Sequence, residues 1–387
     1  MDRKSIVILV FSIIGLIAWF PLVNKYYPPQ EQSRNVAENQ DGAVMTDQGN
    51  TAQAEETILQ SSETAPAVTR TPAVAISTPQ ESATVPENES LLIWENDNLA
   101  YEFTSAGGGI KTVILKQYQG TTKCNNEESE ETTETDHVRL NVNVPTPALN
   151  LFFGKLDNGF LPYTLKQEGD EILAEYLGPD GIRVLKTFQP GTNYVIEAKI
   201  TIENTSYEPK VIPEHYLVTG TATPTKPTDT GMYMGMRYHN GEGVEEIKES
   251  WFANSTLGCF PGTPRKVYPS EPGMVRWTAV ENQFFAMLAI PEEPAPGLVT
   301  QQINLAPPTQ EILAAFPKAN MAPKGYQNSL SYPAQELEPG DTIERSFKFF
   351  TGPKEYQTLT KLSQRTGEEV DSVMGFDGFF GYFAQAL

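Results

Sequence analysis

Few side chains in this 387-residue chain could carry chemistry. His137, His215 and His239 are its three histidines, and Cys124 and Cys259 its two cysteines. A zinc helix needs ligands four residues apart and a zinc ribbon needs Cys-x-x-Cys, and neither spacing occurs. Each histidine therefore reads as a lone surface residue, His137 closing an acidic run and His215 following Pro213-Glu214. The run Ala106-Gly107-Gly108-Gly109-Ile110-Lys111-Thr112 suggests a phosphate loop but lacks the Gly-x-x-x-x-Gly-Lys-Ser/Thr spacing. It leads into a strand, so no helix N-terminus would face a phosphate, and a tight turn or bulge fits better. No Gly-x-Ser-x-Gly elbow is present. Carboxylates abound, but sequence alone does not pair them across a fold. Trp94, Trp251 and Trp277 could stack on a sugar, although rings of this size more often fill cores. Nothing here calls for a cofactor or a metal, and the chain does not read as an enzyme.

Composition narrows the partners. Asp and Glu outnumber Lys and Arg by 49 to 28, a formal charge of −21. That balance argues against nucleic acid, whose phosphates need clustered cations, and against a broad electrostatic grip on anionic lipid. Two cysteines are too few for a disulfide framework, and two separate thiols is the plainer reading of Cys124 and Cys259.

The elements that would position these residues begin with an apolar run from Ile6 to Val23, preceded by Arg3 and Lys4. As a helix it would rise ~27 Å, close to the ~30 Å core of a bilayer. The cationic side suggests a cytoplasmic N-terminus and an exported remainder. Trp19-Phe20-Pro21 is too bulky for a signal-peptidase site, so the run reads as an uncleaved anchor within residues 1–29. Residues 30–90 hold no aromatic side chain and are rich in Gln, Glu, Ser, Thr, Ala and Pro, the composition of a disordered tether.

From Leu91 the pattern changes to short β-like runs separated by turn signals. Leu91–Glu95 and Leu99–Thr104 flank Asn96-Asp97-Asn98, and Val195–Glu203 alternates apolar and polar residues. Gly159–Leu165, Met232–Tyr238, Phe284–Ile290, Glu311–Ala315 and Thr342–Thr351 also read as strands. The expectation is a mainly β fold, a large antiparallel β-sandwich over 91–352. The crowded carboxylates between Cys124 and His137 read as a loop. Beyond Gly352-Pro353, Tyr356, Leu359 and Leu362 recur at helical spacing, with Pro353 suited to helix entry. Val370 to Leu387 forms a second aromatic-rich amphipathic stretch, which would either cap the domain or lie in a membrane interface.

Several stretches, in order, resemble the amino-terminal part of the YidC family of bacterial inner-membrane protein insertases. They are Met1-Asp-Arg-Lys-Ser5 with the run through Trp19-Phe20-Pro21, Asn98–Ser105 with Gly107-Gly108, and Leu115–Tyr118. Val184–Phe188, Asn193-Tyr194-Val195, Ile202–Thr205 and Arg276–Pro291 continue the likeness. Phe349-Phe-Thr-Gly-Pro-Lys-Glu-Tyr356 is similar to the family's Gly-Pro-Lys-x-Tyr, and Val370-Asp371 to Gly378-Phe-Phe-Gly381 looks like its interfacial helix. The resemblance implies a periplasmic β-supersandwich of galactose mutarotase-like fold, held in the inner membrane beside a five-helix insertase core. It implies the lipid bilayer, nascent membrane proteins and the Sec translocon as partners, with residues 353–387 leading toward that core. No position here matches the family's groove arginine, so no insertase residue carries over, and the expectation is a fragment or truncated product. The competing expectation is a membrane-tethered carbohydrate-binding or carbohydrate-modifying β-sandwich.

Overall fold

The computed structural model describes residues 89–120, 137–156, 158–254, 262–270 and 272–375. The expected anchor, the tether up to residue 88, both cysteines, the acidic run to Asp136 and residues 376–387 lie outside them. Among the described residues no helix is long and apolar enough to cross a membrane.

Alternation builds the largest sheet. With strands numbered in chain order, β8 (Ile182–Pro190) buries Ile182, Val184, Lys186 and Phe188 on one face. The next strand, β9 (Val195–Asn204), buries Ile196, Ala198, Ile200 and Ile202 in the same way. Period-two burial of this kind holds a strand in register, because a one-residue slip would turn the apolar set to water. On one side the sheet continues through β7 (Glu171–Leu177) and β6 (Thr164–Glu168). On the other it runs through β20 (Thr342–Pro353), β16 (Phe285–Pro291), β15 (Trp277–Glu281), β12 (Gly235–His239) and β13 (Val244–Ile247), nine antiparallel strands in all.

The facing layer has two parts. A meander of β1 (Leu91–Glu95), β2 (Leu99–Thr104), β3 (Gly109–Gln119) and β4 (His137–Leu140) makes a four-stranded sheet. Five further strands run in the order β14 (Val267–Pro269), β17 (Gly297–Asn304), β18 (Lys324–Tyr332), β11 (His215–Ala222), β5 (Leu151–Phe153). Residues 148–150 stitch the parts together: Ile110 and Ala148 exchange backbone bonds of 2.8 Å, and Val218 N–H donates to Asn150 O at 2.9 Å. The core between the layers is apolar, with Phe103 and Phe188 5.1 Å apart at their ring centres. The expected antiparallel β-sandwich is therefore the observed architecture.

Strand β16 does not alternate: all seven of its residues are buried. Phe285, Met287 and Ala289 enter the inter-layer core, while Ala286, Leu288 and Ile290 face the other way. That outer face is covered by a helix at Tyr356–Thr366 and a 3-10 turn at Val370–Met374, which contribute Leu359, Leu362, Val370 and Val373. Leu359, Leu362, Val370 and Val373 are thus spent on the sheet.

Some local expectations are corrected. Residues Glu311–Ala315 are helical, within Gln310–Ala315, because Thr309 caps that helix by accepting from Ile312 N–H at 3.3 Å. Five residues have no period long enough to separate strand from helix. Pro353 ends β20 rather than opening the following helix. Strand β6 starts only at Thr164, because Leu161 O and Tyr163 N–H are drawn across to Gly107 and Ser105 of the facing layer. A 3-10 turn at Gly231–Tyr233 takes the front of the expected 232–238 strand, so β12 starts at Gly235.

Candidate functional site

A cleft of about 300 Å³ is lined by β4, residues 223–227 after β11, and residues 305–323. The last of these carry the Gln310–Ala315 helix. Prolines 224, 227, 308 and 323 stiffen the walls, and Val142, Leu305, Ile312 and Phe316 supply apolar surface. Arg139 and Lys226, both exposed, place cations there, and His137 stands beside them on β4. None of the described residues lining the cleft is Asp or Glu. The described lining offers an imidazole, hydrogen-bond donors, positive charge and apolar surface, a set suited to binding.

The three histidines stand on three different strands. His137 is half-buried in β4, at the cleft. The surface reading fails for the other two, because both strands turn these residues inward. His215, at the start of β11, is 1% exposed and stacks at 5.3 Å on Tyr332. Burial pushes its imidazole below the usual range, and the Arg345 charge adds to the shift. His239 ends β12, and its Nδ1 accepts from Gly241 N–H at 3.0 Å. Among the described residues no group of three or more His, Cys, Asp or Glu is placed to hold a metal ion.

The glycine run is a turn, as its spacing implies. Gly107 and Gly108 take φ of 85° and 56° between β2 and β3, a region open to glycine. A Cβ on Gly109 would stand 2.2 Å from Ala148 O, so the close strand approach requires glycine there too. The three tryptophans are packed. Trp277 is fully buried, Trp94 packs against the core with Tyr101, and the Arg265 guanidinium lies 4.7 Å over the ring of Trp251. Asn204, which heads an Asn-x-Ser triplet, is buried and spends its amide on Glu208 O and Leu337 O.

Two charged groups escaped the sequence reading. Lys186 is fully buried in an apolar stripe, where its Nζ donates to Gly107 O at 2.7 Å and Leu149 O at 2.8 Å and lies 4.6 Å from the Tyr163 ring centre. Its signal was available: a lysine occupies an inward slot of the series Ile182, Val184, Lys186, Phe188. Glu281, 5% exposed, is held between Arg237 at 2.8 Å and Lys354 at 2.8 Å. Nothing local marks it, since its partners are 44 and 73 positions away in the sequence.

The model of the YidC periplasmic domain matches residues 94–385. A membrane protein insertase YidC of Syntrophus aciditrophicus is 22% identical over 403 aligned residues, covering all of this chain and 64% of that protein. The chain thus spans a little under two thirds of this relative's length. Among solved structures, a galactose mutarotase related enzyme from Lactobacillus acidophilus is 9% identical with a TM-score of 0.45, covering 68% of this chain and 97% of that one. A putative aldose 1-epimerase from Escherichia coli K12 is 10% identical with a TM-score of 0.40, covering 68% and 99%. Because the family's model runs over well more than half of the sequence, the chain belongs to the YidC family and carries its periplasmic domain.

Proposed function

We propose that this chain is the amino-terminal part of a membrane protein insertase of the bacterial inner membrane. In this reading residues 1–29 anchor it with the N-terminus in the cytoplasm, and 30–90 tether a periplasmic β-domain over 91–352. Residues 353–387 close over that domain and lead back toward the bilayer. Its role is contact and positioning: the domain meets nascent membrane proteins and components of the Sec translocon, while the groove that passes client segments lies outside this chain. The observation that carries the reading is the insertase likeness extending over the whole chain, apolar run included, rather than over the β-domain alone.

Topology tests the anchor. In a chain with Cys124→Ser and Cys259→Ser, a membrane-impermeant maleimide should label Ser61→Cys in intact spheroplasts and Ser5→Cys only after permeabilisation. Labelling of Ser5→Cys from outside, or release of the chain by carbonate washing, would overturn it. For the division of labour, cells depleted of their own insertase and supplied with this chain should stay unrescued. Growth would place insertion within the chain.

A further inference from the structure

Strand β4 stands last in its sheet, with β3 as its neighbour, and among the described residues nothing pairs with its other edge. An unpaired edge presents a row of backbone donors and acceptors, a template for one more strand. Val138 and Leu140 point into the core, while Arg139 points out. The same strand lines the cleft, and a second cation, Lys226, is in the same lining. Neither Arg139 nor Lys226 has an ion-pair partner among the described residues. Apolar surface in the lining comes from Leu305, Ile312 and Phe316.

From this juxtaposition we infer that β4 and the cleft form a binding site for an extended polypeptide segment that alternates apolar side chains with carboxylates. The segment adds as a strand to the free edge of β4. Its carboxylates meet Arg139 and Lys226, and its apolar side chains enter the cleft. Backbone pairing would supply affinity and the alternate side chains selectivity, the division usual in strand addition. About 300 Å³ lies at the lower end of ligand-site volumes and fits two or three side chains rather than a folded surface. The charges oppose the chain's prevailing sign: in a protein of net −21, two cations unpaired among the described residues, beside an edge equally unpaired among them, suit a carboxylate. The inference stands apart from the insertase reading, since it concerns which segment binds, not what is done with it.

The test uses the full chain in detergent micelles and a fluorescent peptide of about seven residues alternating valine with aspartate. Anisotropy should show saturable binding. A peptide with lysine in place of aspartate, and one N-methylated along its pairing edge, should each bind at least tenfold more weakly. The double variant Arg139→Glu, Lys226→Glu should lose the aspartate peptide by tenfold or more and gain the lysine peptide. Both residues are exposed, so the fold should survive the change, which circular dichroism checks. Independently, amide hydrogen exchange at residues 137–140 should slow when the aspartate peptide is present. Equal binding of the aspartate and lysine peptides, or undiminished binding by the double variant, overturns the charge pairing. Undiminished binding of the N-methylated peptide, or unchanged exchange at 137–140, overturns the strand addition. No binding at millimolar peptide overturns the whole.

Discussion

Replacing Lys186 with Met should change how stability depends on pH and lower stability most at alkaline pH. The amine is fully buried, and its hydrogen-bond partners are two backbone carbonyls, Gly107 O and Leu149 O. Burial holds its proton affinity well below the ordinary lysine range. A neutral amine has two N–H groups, which match those two acceptors. With the folded value depressed, the unfolded chain binds a proton that the folded chain refuses. Stability should therefore rise with pH up to the unfolded value near ~10.4, by at most ~1.4 kcal/mol per pH unit. Lys186→Met removes this dependence and leaves two buried carbonyls without donors, at ~1–3 kcal/mol each. At pH 10 the variant should be the less stable protein by about 2–6 kcal/mol, and the gap should narrow steadily toward pH 7. Urea unfolding of both proteins in detergent, followed by tryptophan fluorescence at pH 7, 8, 9 and 10, reads the gap directly, because titrations shared by the two proteins cancel. A gap that stays constant across that range would mean that Lys186 keeps an ordinary proton affinity when folded, and the reasoning would fail.

The remaining expectations use the same unfolding assay. His215 is buried with a lowered proton affinity, so its contribution is complete above the unfolded value near ~6.5 and is lost as pH falls below it, by up to ~1.4 kcal/mol per unit. His215→Phe should flatten that acid limb between pH 7.5 and 5, and an unchanged slope would refute the assignment. Glu281→Gln leaves Arg237 and Lys354 without their shared carboxylate and should cost ~3 kcal/mol, the lower end for a buried ion pair because Arg237 keeps Glu246 at 3.1 Å. A loss under ~1 kcal/mol would put the cluster in solvent's reach. Gly109→Ala drives a Cβ against the Ala148 carbonyl and should cost about 1–3 kcal/mol, whereas Gly340→Ala, with open space at its Cβ, should suffer only from its positive φ.

The sandwich was legible because its strands alternate or are flanked by Gly, Pro and Asn turns. The turn at Asn96-Asp97-Asn98 works as read, Asn96 Oδ1 accepting from Asn98 and Leu99 N–H at 2.8 and 3.0 Å. What resisted reading is what depends on distant partners. Strand β4 adjoins a run of carboxylates and has four residues, too few for a period. The cleft is assembled from segments around residues 139, 226 and 312, far apart in sequence, so no window could display it. His215 and His239 were placed on the surface because residue type sets the default, yet strand register, which follows from all the neighbouring apolar positions, turns both inward.

The length of the Tyr356–Thr366 helix has a physical cause in the strand beneath it. β15 is flanked by Arg276 just before its first residue and ends on Glu281. Arg276 holds Glu368, beyond the helix, through Nε at 2.9 Å and Nη2 at 2.8 Å. Glu281 holds Lys354, before the helix, at 2.8 Å. The helix is thereby clamped antiparallel to β15 at both ends. Five steps of strand span ~17 Å, and eleven residues of helix rise ~16 Å, so a helix of this length fits between the two clamps. Between them, Leu359 and Leu362 share one apolar cluster with Trp277, Ala279 and Leu288 away from water, while Arg276 is the exposed member of the clamps at 41%. Glu281 is the most deeply buried of the four, and two cations hold it.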